Sequence, residues 1–237
     1  MVLGSLDDDD FDDAVDDVVV AIDGPAGSGK STVARAVAAR ARLRHLDTGA
    51  TYRALALALL RQGVAPDDPE AVAAAAKSVD LSLELAPGRT GSVRVLLAGV
   101  VMGKELRTAE VNRAVSPVSA VPAVREQLVA LQRTVIGLGG VVAEGRDIGT
   151  VVWPQAEVKI FLTADAAERA RRRGGPGAAG ESAEAVARRD RLDSGRAASP
   201  TRAAPDALVI DSTNRAPEDV VAQIVGLVEA ARAGRSR

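Results

Sequence analysis

Cysteine is absent from this 237-residue chain, which removes disulfides, thiolate nucleophiles and cysteine-ligated metals from consideration. Aromatic residues make up only 2% of it. The core must therefore be built of Ala, Val and Leu, and stacking platforms for single-stranded nucleic acid are not expected. An excess of charge of one sign is also missing: the formal net charge of −2 exerts no overall pull on nucleic acid. No apolar run approaches the roughly 20 residues that cross a bilayer. The acidic N-terminus lacks the basic-then-apolar order of a signal peptide. The expectation is a cytoplasmic protein with no membrane or nucleic-acid partner.

What remains is the balance of an ordinary globule, 47% hydrophobic and 26% charged, long enough for one domain carrying an insert. Residues 1–17 hold a block of aspartates, Asp7 to Asp10, Asp12, Asp13, Asp16 and Asp17, which repels itself and predicts a disordered tail.

From Val18 an apolar run too short for a helix passes into Gly24-Pro25-Ala26-Gly27-Ser28-Gly29-Lys30-Ser31-Thr32, and an apolar pattern of helical period follows. The spacing G-x-x-x-x-G-K-[ST] is that of a phosphate-binding loop. Glycines free the backbone so that successive N–H groups point at one anion, and the following helix adds the positive end of its dipole. Lys30 then neutralises phosphate charge, and the Ser31 hydroxyl is placed to ligate Mg²⁺.

The rest of the chain alternates short apolar strands with helices. Strands are predicted at Arg44-His45-Leu46, Gly140–Glu144, Val158–Leu162 and Leu208–Asp211, giving with the first a five-stranded parallel sheet of α/β type, covered on both faces. Period-two alternation from Val79 to Leu85 and from Val93 to Leu97 marks a small antiparallel insert over about 66–107. Helices are predicted from the Asp47-Thr48-Gly49 turn to Leu60, from Asp68 as cap with Pro69 at the first position, from Leu106-Arg107-Thr108 through Val115, and over Val124–Ile136. Ser116 and Arg125 fall at the junctions. The glycine-rich run 174–180 and the basic segment after it, with Arg188, Arg189, Arg191 and Arg196 around Asp190 and Asp193, predict a mobile lid over about 172–200.

In an open α/β sheet ligands bind beyond the C-terminal strand ends. Asp47–Arg53 and Gly145-Arg146-Asp147-Ile148-Gly149-Thr150 both sit there, beside the phosphate loop. Thr48 suits an anionic group, although helix capping alone explains it. His45 is read as structural. Arg53, Arg146 and the lid arginines would converge on two anions, as phosphoryl transfer requires. A phosphate acceptor is already nucleophilic and needs no dedicated base, which fits a chain with one histidine and no cysteine.

Gly24–Thr32, Asp47–Arg53, Leu106-Arg107-Thr108, Gly145–Val152 with Pro154, and Arg189-Asp190 with Asp193, Arg196 and Pro200 together resemble bacterial cytidylate kinase, a nucleoside monophosphate kinase. The likeness runs from about Val18 to Val228. It implies a P-loop three-layer fold, with ATP and Mg²⁺, and transfer to CMP or dCMP by a monomer. It assigns Gly24–Thr32 to ATP, with Lys30, Arg146, Arg189 and Arg196 catalytic. Arg53, Arg146 and Arg196 would hold the CMP phosphate with Thr48 nearby, and Tyr52 joins the CMP site. Ser116, Arg125 and Asp147 would read cytosine, and Arg189 and Asp193 would meet the ribose. The insert would bind the monophosphate. Alternatives are another acceptor, such as UMP, dTMP or shikimate, or a P-loop ATPase or GTPase switch. No N-K-x-D guanine-reading turn is present for the last.

Overall fold

The structure, a computed structural model, describes residues 18–87, 91–174, 184, 187, 188, 191, 192, 195 and 200–235. The predicted tail over 1–17 and most of the predicted lid after 174 lie outside the described residues.

β1 (Val19–Asp23) is buried along its whole length at the centre of a five-stranded parallel sheet. Its neighbours are β6 (Val141–Gly145) and β7 (Val158–Thr163), with β2 (Arg44–Asp47) and β8 (Leu208–Asp211) at the edges, in the order β2-β6-β1-β7-β8. The two-residue period of the strand sorts its side chains. Val18, Val20 and Ile22 pack against α1 (Lys30–Ala41) and α7 (Pro217–Arg235), through Val33, Val37, Ile224 and Val228. Val19 and Ala21 face the opposite layer with Val129 and Ile136 of α5 (Pro122–Ile136). Helices on both faces explain why these strands read as continuous apolar runs.

A second layer of helix contacts joins α2 (Thr48–Arg61), α3 (Pro69–Ala76) and α4 (Ala109–Ala120) to α5 around Leu55, Leu59, Val118 and Leu128. Between α3 and α4 lies the three-stranded antiparallel sheet β3 (Leu81–Leu85), β4 (Val93–Leu97) and β5 (Val100–Val101), followed by a 3₁₀ turn at Lys104–Arg107. It touches the main sheet through a bridge between His45 and Ser92. Asp68 caps α3 as its sequence predicts, accepting from the amides of Glu70 and Ala71, with Pro69 in the first turn.

Three local expectations change. α4 does not stop at Val115 but runs through Pro117 to Ala120, because burial of Val111, Ala114, Val115 and Val118 outweighs the missing N–H. Ser116 thus lies inside a helix, and α5 starts at Pro122, so Arg125 lies inside one too. The cap of α2 is Asp47, which accepts from the Ala50 amide at 3.1 Å, so the Thr48 hydroxyl is not the cap. The turn after β6 also winds into a short π-helical segment, Ile148–Val152, which no periodicity in the sequence marks.

Candidate active site

The loop between β1 and α1 needs its glycines. Gly24, Gly27 and Gly29 have φ of +148°, +78° and +90°. A Cβ on Gly24 would lie 2.0 Å from the carbonyl oxygen of Leu162, and one on Gly27 would lie 2.6 Å from that of Arg169. Lys30 opens α1 with its side chain buried, and Nζ donates to the Pro25 carbonyl at 2.6 Å and to Ser28 Oγ at 3.4 Å. Burial, and next the Arg146 charge, hold its pKa well below the ordinary lysine value. An anion in this loop relieves that cost.

Glu144, near the end of β6, binds the loop to the neighbouring strand. Its Oε2 accepts from Ser31 Oγ at 2.7 Å, Oε1 lies 3.1 Å from His45 Nε2, and its backbone carbonyl accepts from Thr48 Oγ1 at 2.7 Å. Burial pushes this carboxyl up, but the His45 hydrogen bond and charge, with Ser31 and Lys30, outweigh it and hold the pKa below the usual value. Asp47 is raised instead, by burial and then by the Glu144 charge, and it pairs with Arg107 at 3.2 Å.

The far side of the cleft is cationic. Arg53 is buried and donates to the Leu106 carbonyl and to Asn112. Arg125 reaches Asp147 in a buried ion pair while its guanidinium stands 5.5 Å from the Tyr52 ring centroid. Arg146 Nη1 donates to the Gly24 carbonyl at 3.0 Å. These groups share one cleft of about 700 Å³. It brings together Ala26, Gly27, Gly29, Lys30, Ser31 and Thr32 with Thr48, Tyr52, Arg53, Ser116, Arg125, Arg146 and Asp147. Gly24, Pro25 and Ser28 shape the loop from behind the lining. Arg189, Asp193 and Arg196 lie outside the described residues.

Sequence reasoning missed Glu144, Asp47 and Arg107, which line the same cleft, as do Arg172 and Arg173 of α6 (Ala166–Gly174). Glu144 had a signal: it is the last charged residue of an apolar strand ending beside the phosphate loop. Asp23 was also passed over. Its buried carboxylate accepts from the amides of Ile148 and Gly149, each at 2.8 Å. The oxygen donors around Ser31, a hydroxyl and an ionised carboxylate, suit a hard cation. Among the described residues no group of three or more His, Cys, Asp or Glu side chains is arranged to hold a metal ion.

A phosphate loop at the end of a central parallel strand, facing a pocket of buried arginines, defines a P-loop protein built to bring two anionic groups together. Residues 20–230 match the family model for cytidylate kinase, and the chain belongs to that family. It is 50% identical over 220 residues to the cytidylate kinase of Mycolicibacterium paratuberculosis, covering 90% of this chain and 95% of that one. It is 48% identical over 221 residues to that of Mycobacterium leprae, covering 90% and 96%. It also matches a bifunctional pantoate ligase/cytidylate kinase of Synechococcus at 46% identity over 216 residues, 88% of this chain but 40% of that longer protein.

Proposed function

We propose that this protein transfers the γ-phosphoryl group of ATP to CMP or dCMP, giving ADP and CDP or dCDP. The observation that carries the reading is the buried Asp147–Arg125 pair in the same cleft as Lys30 and the glycine loop. A carboxylate that accepts from the exocyclic amine of cytosine rejects uracil, which offers a carbonyl there. Ser116 and Arg125 complete the base site, and Arg53, Arg146 and Thr48 take the acceptor phosphate, with Tyr52 beneath Arg125.

An oxygen of the acceptor phosphate attacks the γ-phosphorus as the bond to the β–γ bridging oxygen breaks, so the nucleophile has no proton to lose. The enzyme's task is to cancel repulsion and hold the oxygens in line. Lys30 and the loop amides hold the donor phosphates, while Arg146, bonded to Gly24 of that loop, spans donor and acceptor. Ser31 and Glu144 would hold Mg²⁺. That ion, when bound, offsets charge on the β- and γ-phosphates. Arg189, Asp193 and Arg196 belong to the same proposal, as ribose and phosphate contacts from a lid over about 172–200. The insert over about 66–107 is proposed to carry the monophosphate. We place the enzyme in the cytoplasm as a monomer; no described helix is long and apolar enough to cross a membrane.

The Asp147→Ala variant tests the base site. The expected result is a fall of about 10- to 100-fold in the preference for CMP over UMP, equivalent to roughly 1–3 kcal/mol, with ATP affinity retained. Preference equal to that of the wild type would overturn the assignment.

A further inference from the structure

The carboxylate of Asp23 stands at the exit of β1, one residue before the phosphate loop, yet it does not face that loop. It crosses to the turn after β6 and accepts from two successive amides, Ile148 through Oδ1 and Gly149 through Oδ2, both at 2.8 Å. Those amides directly follow Asp147. On the other side of Asp147, Arg146 Nη1 reaches the carbonyl of Gly24 at 3.0 Å. The end of β1 thus grips the turn on both flanks of one residue. Asp147 has φ −151° and ψ 27°, outside both helical and strand geometry, so nothing in its own backbone preference holds it there.

We propose that Asp23 is a positioning residue for acceptor selection, its carboxylate fixing the 147–149 turn so that Asp147 meets the base at a set angle. The proposal rests on the reading of Asp147 as the base-recognising carboxylate. It adds that selectivity is built partly from the ATP side of the cleft.

The clamp is also sensitive to protonation. Burial, moderated by the Gly149 and Ile148 amides, raises Asp23 to about 6. The Asp147 charge raises it further and the Lys30 charge lowers it. Lys159 packs its stem against Gly149 but turns its ammonium to Asp206 at 2.6 Å. Two amide donors need two acceptor oxygens. Protonation turns one of those oxygens into a hydroxyl, a weaker acceptor, and loosens its bond to the amide. Since the folded-state value lies near 6, the clamp is whole at pH 7.5 and half lost near pH 6.

A purely structural Asp23 would weaken all acceptors alike. The decisive quantity is therefore the ratio of kcat/KM for CMP to that for UMP, in which the titration of the substrate phosphate cancels. In the wild type this ratio should fall several-fold between pH 7.5 and pH 5.5, with its midpoint near 6. In Asp23→Asn, which offers an N–H₂ where an acceptor stood, it should be low and independent of pH. The Ile148 and Gly149 amides should also exchange faster with solvent. A wild-type ratio that stays flat over that range overturns the inference, and needs no variant to fold. So does an Asp23→Asn enzyme that keeps the full ratio. If Asp147→Ala relaxes selectivity while Asp23→Asn does not, the clamp alone is wrong; if Asp147→Ala also keeps selectivity, the base-site reading falls with it.

Discussion

Lys30 carries an electrostatic cost at the centre of the site. It is a buried ammonium beside the like charge of Arg146, and its pKa is depressed by burial first and by that charge second. The unfolded chain binds this proton more readily than the folded one, so the wild type loses stability as pH falls through the alkaline range toward neutrality. The Lys30→Met variant should therefore melt a few degrees higher than the wild type at pH 7 in the absence of nucleotide, by calorimetry. Its kcat should fall on the order of 10²- to 10³-fold, since the cation that meets transferring charge is gone. A variant with lower stability and near-normal turnover would mean the ammonium is structural. Lys30 was legible in the sequence because its role is written in local spacing. Asp23 was not, and Glu144 was marked only by its place at the end of an apolar strand, because their partners lie more than a hundred residues away: Glu144 bonds Ser31, and Asp23 bonds Ile148 and Gly149. Spacing along the chain carries no record of such contacts.

Among the elements, α6 sets the ceiling of the phosphate loop. Arg169 Nη1 donates to the Ala26 carbonyl at 3.2 Å, and its own carbonyl closes over Gly27. Gly27→Ala must push α6 away and also hold a left-handed φ, so a loss of about 1–3 kcal/mol in stability with weakened ATP binding is expected. At Gly174, in the same helix, a Cβ would meet no atom of the described residues within 4 Å, and Gly174→Ala should leave both unchanged. Equal behaviour of the two variants, read by thermal melting and nucleotide titration, would contradict this role for α6. Strand and helix identities followed from period and capping, as Asp68 and Pro69 show at α3. The course of α4 past Pro117 did not, because tertiary burial overrode a local breaker.

Over the whole molecule, strand order is what brings the site together. β6 inserts between β1 and β2, so Glu144 pairs in register with Ile22 on one side and Asp47 on the other. The turns that follow these three strands then share one edge of the sheet. The sequence pattern foretold five strands and their parallel class, since continuous apolar runs separated by helices allow little else. It did not foretell that order, which depends on how α2 to α5 pack across the sheet. The rule that ligands bind beyond the C-terminal strand ends supplied the convergence of Arg53, Arg146 and Asp147 that the fold produces by this insertion, and the family resemblance supplied their separate roles. The central claim, phosphoryl transfer to a cytosine nucleotide, is tested by ADP release with ATP and Mg²⁺ against CMP, dCMP, UMP, dTMP, AMP and GMP. Fast turnover confined to CMP and dCMP is the predicted result. Slow ATP loss indifferent to every nucleotide would contradict it and leave a P-loop ATPase whose arginine pocket serves another purpose.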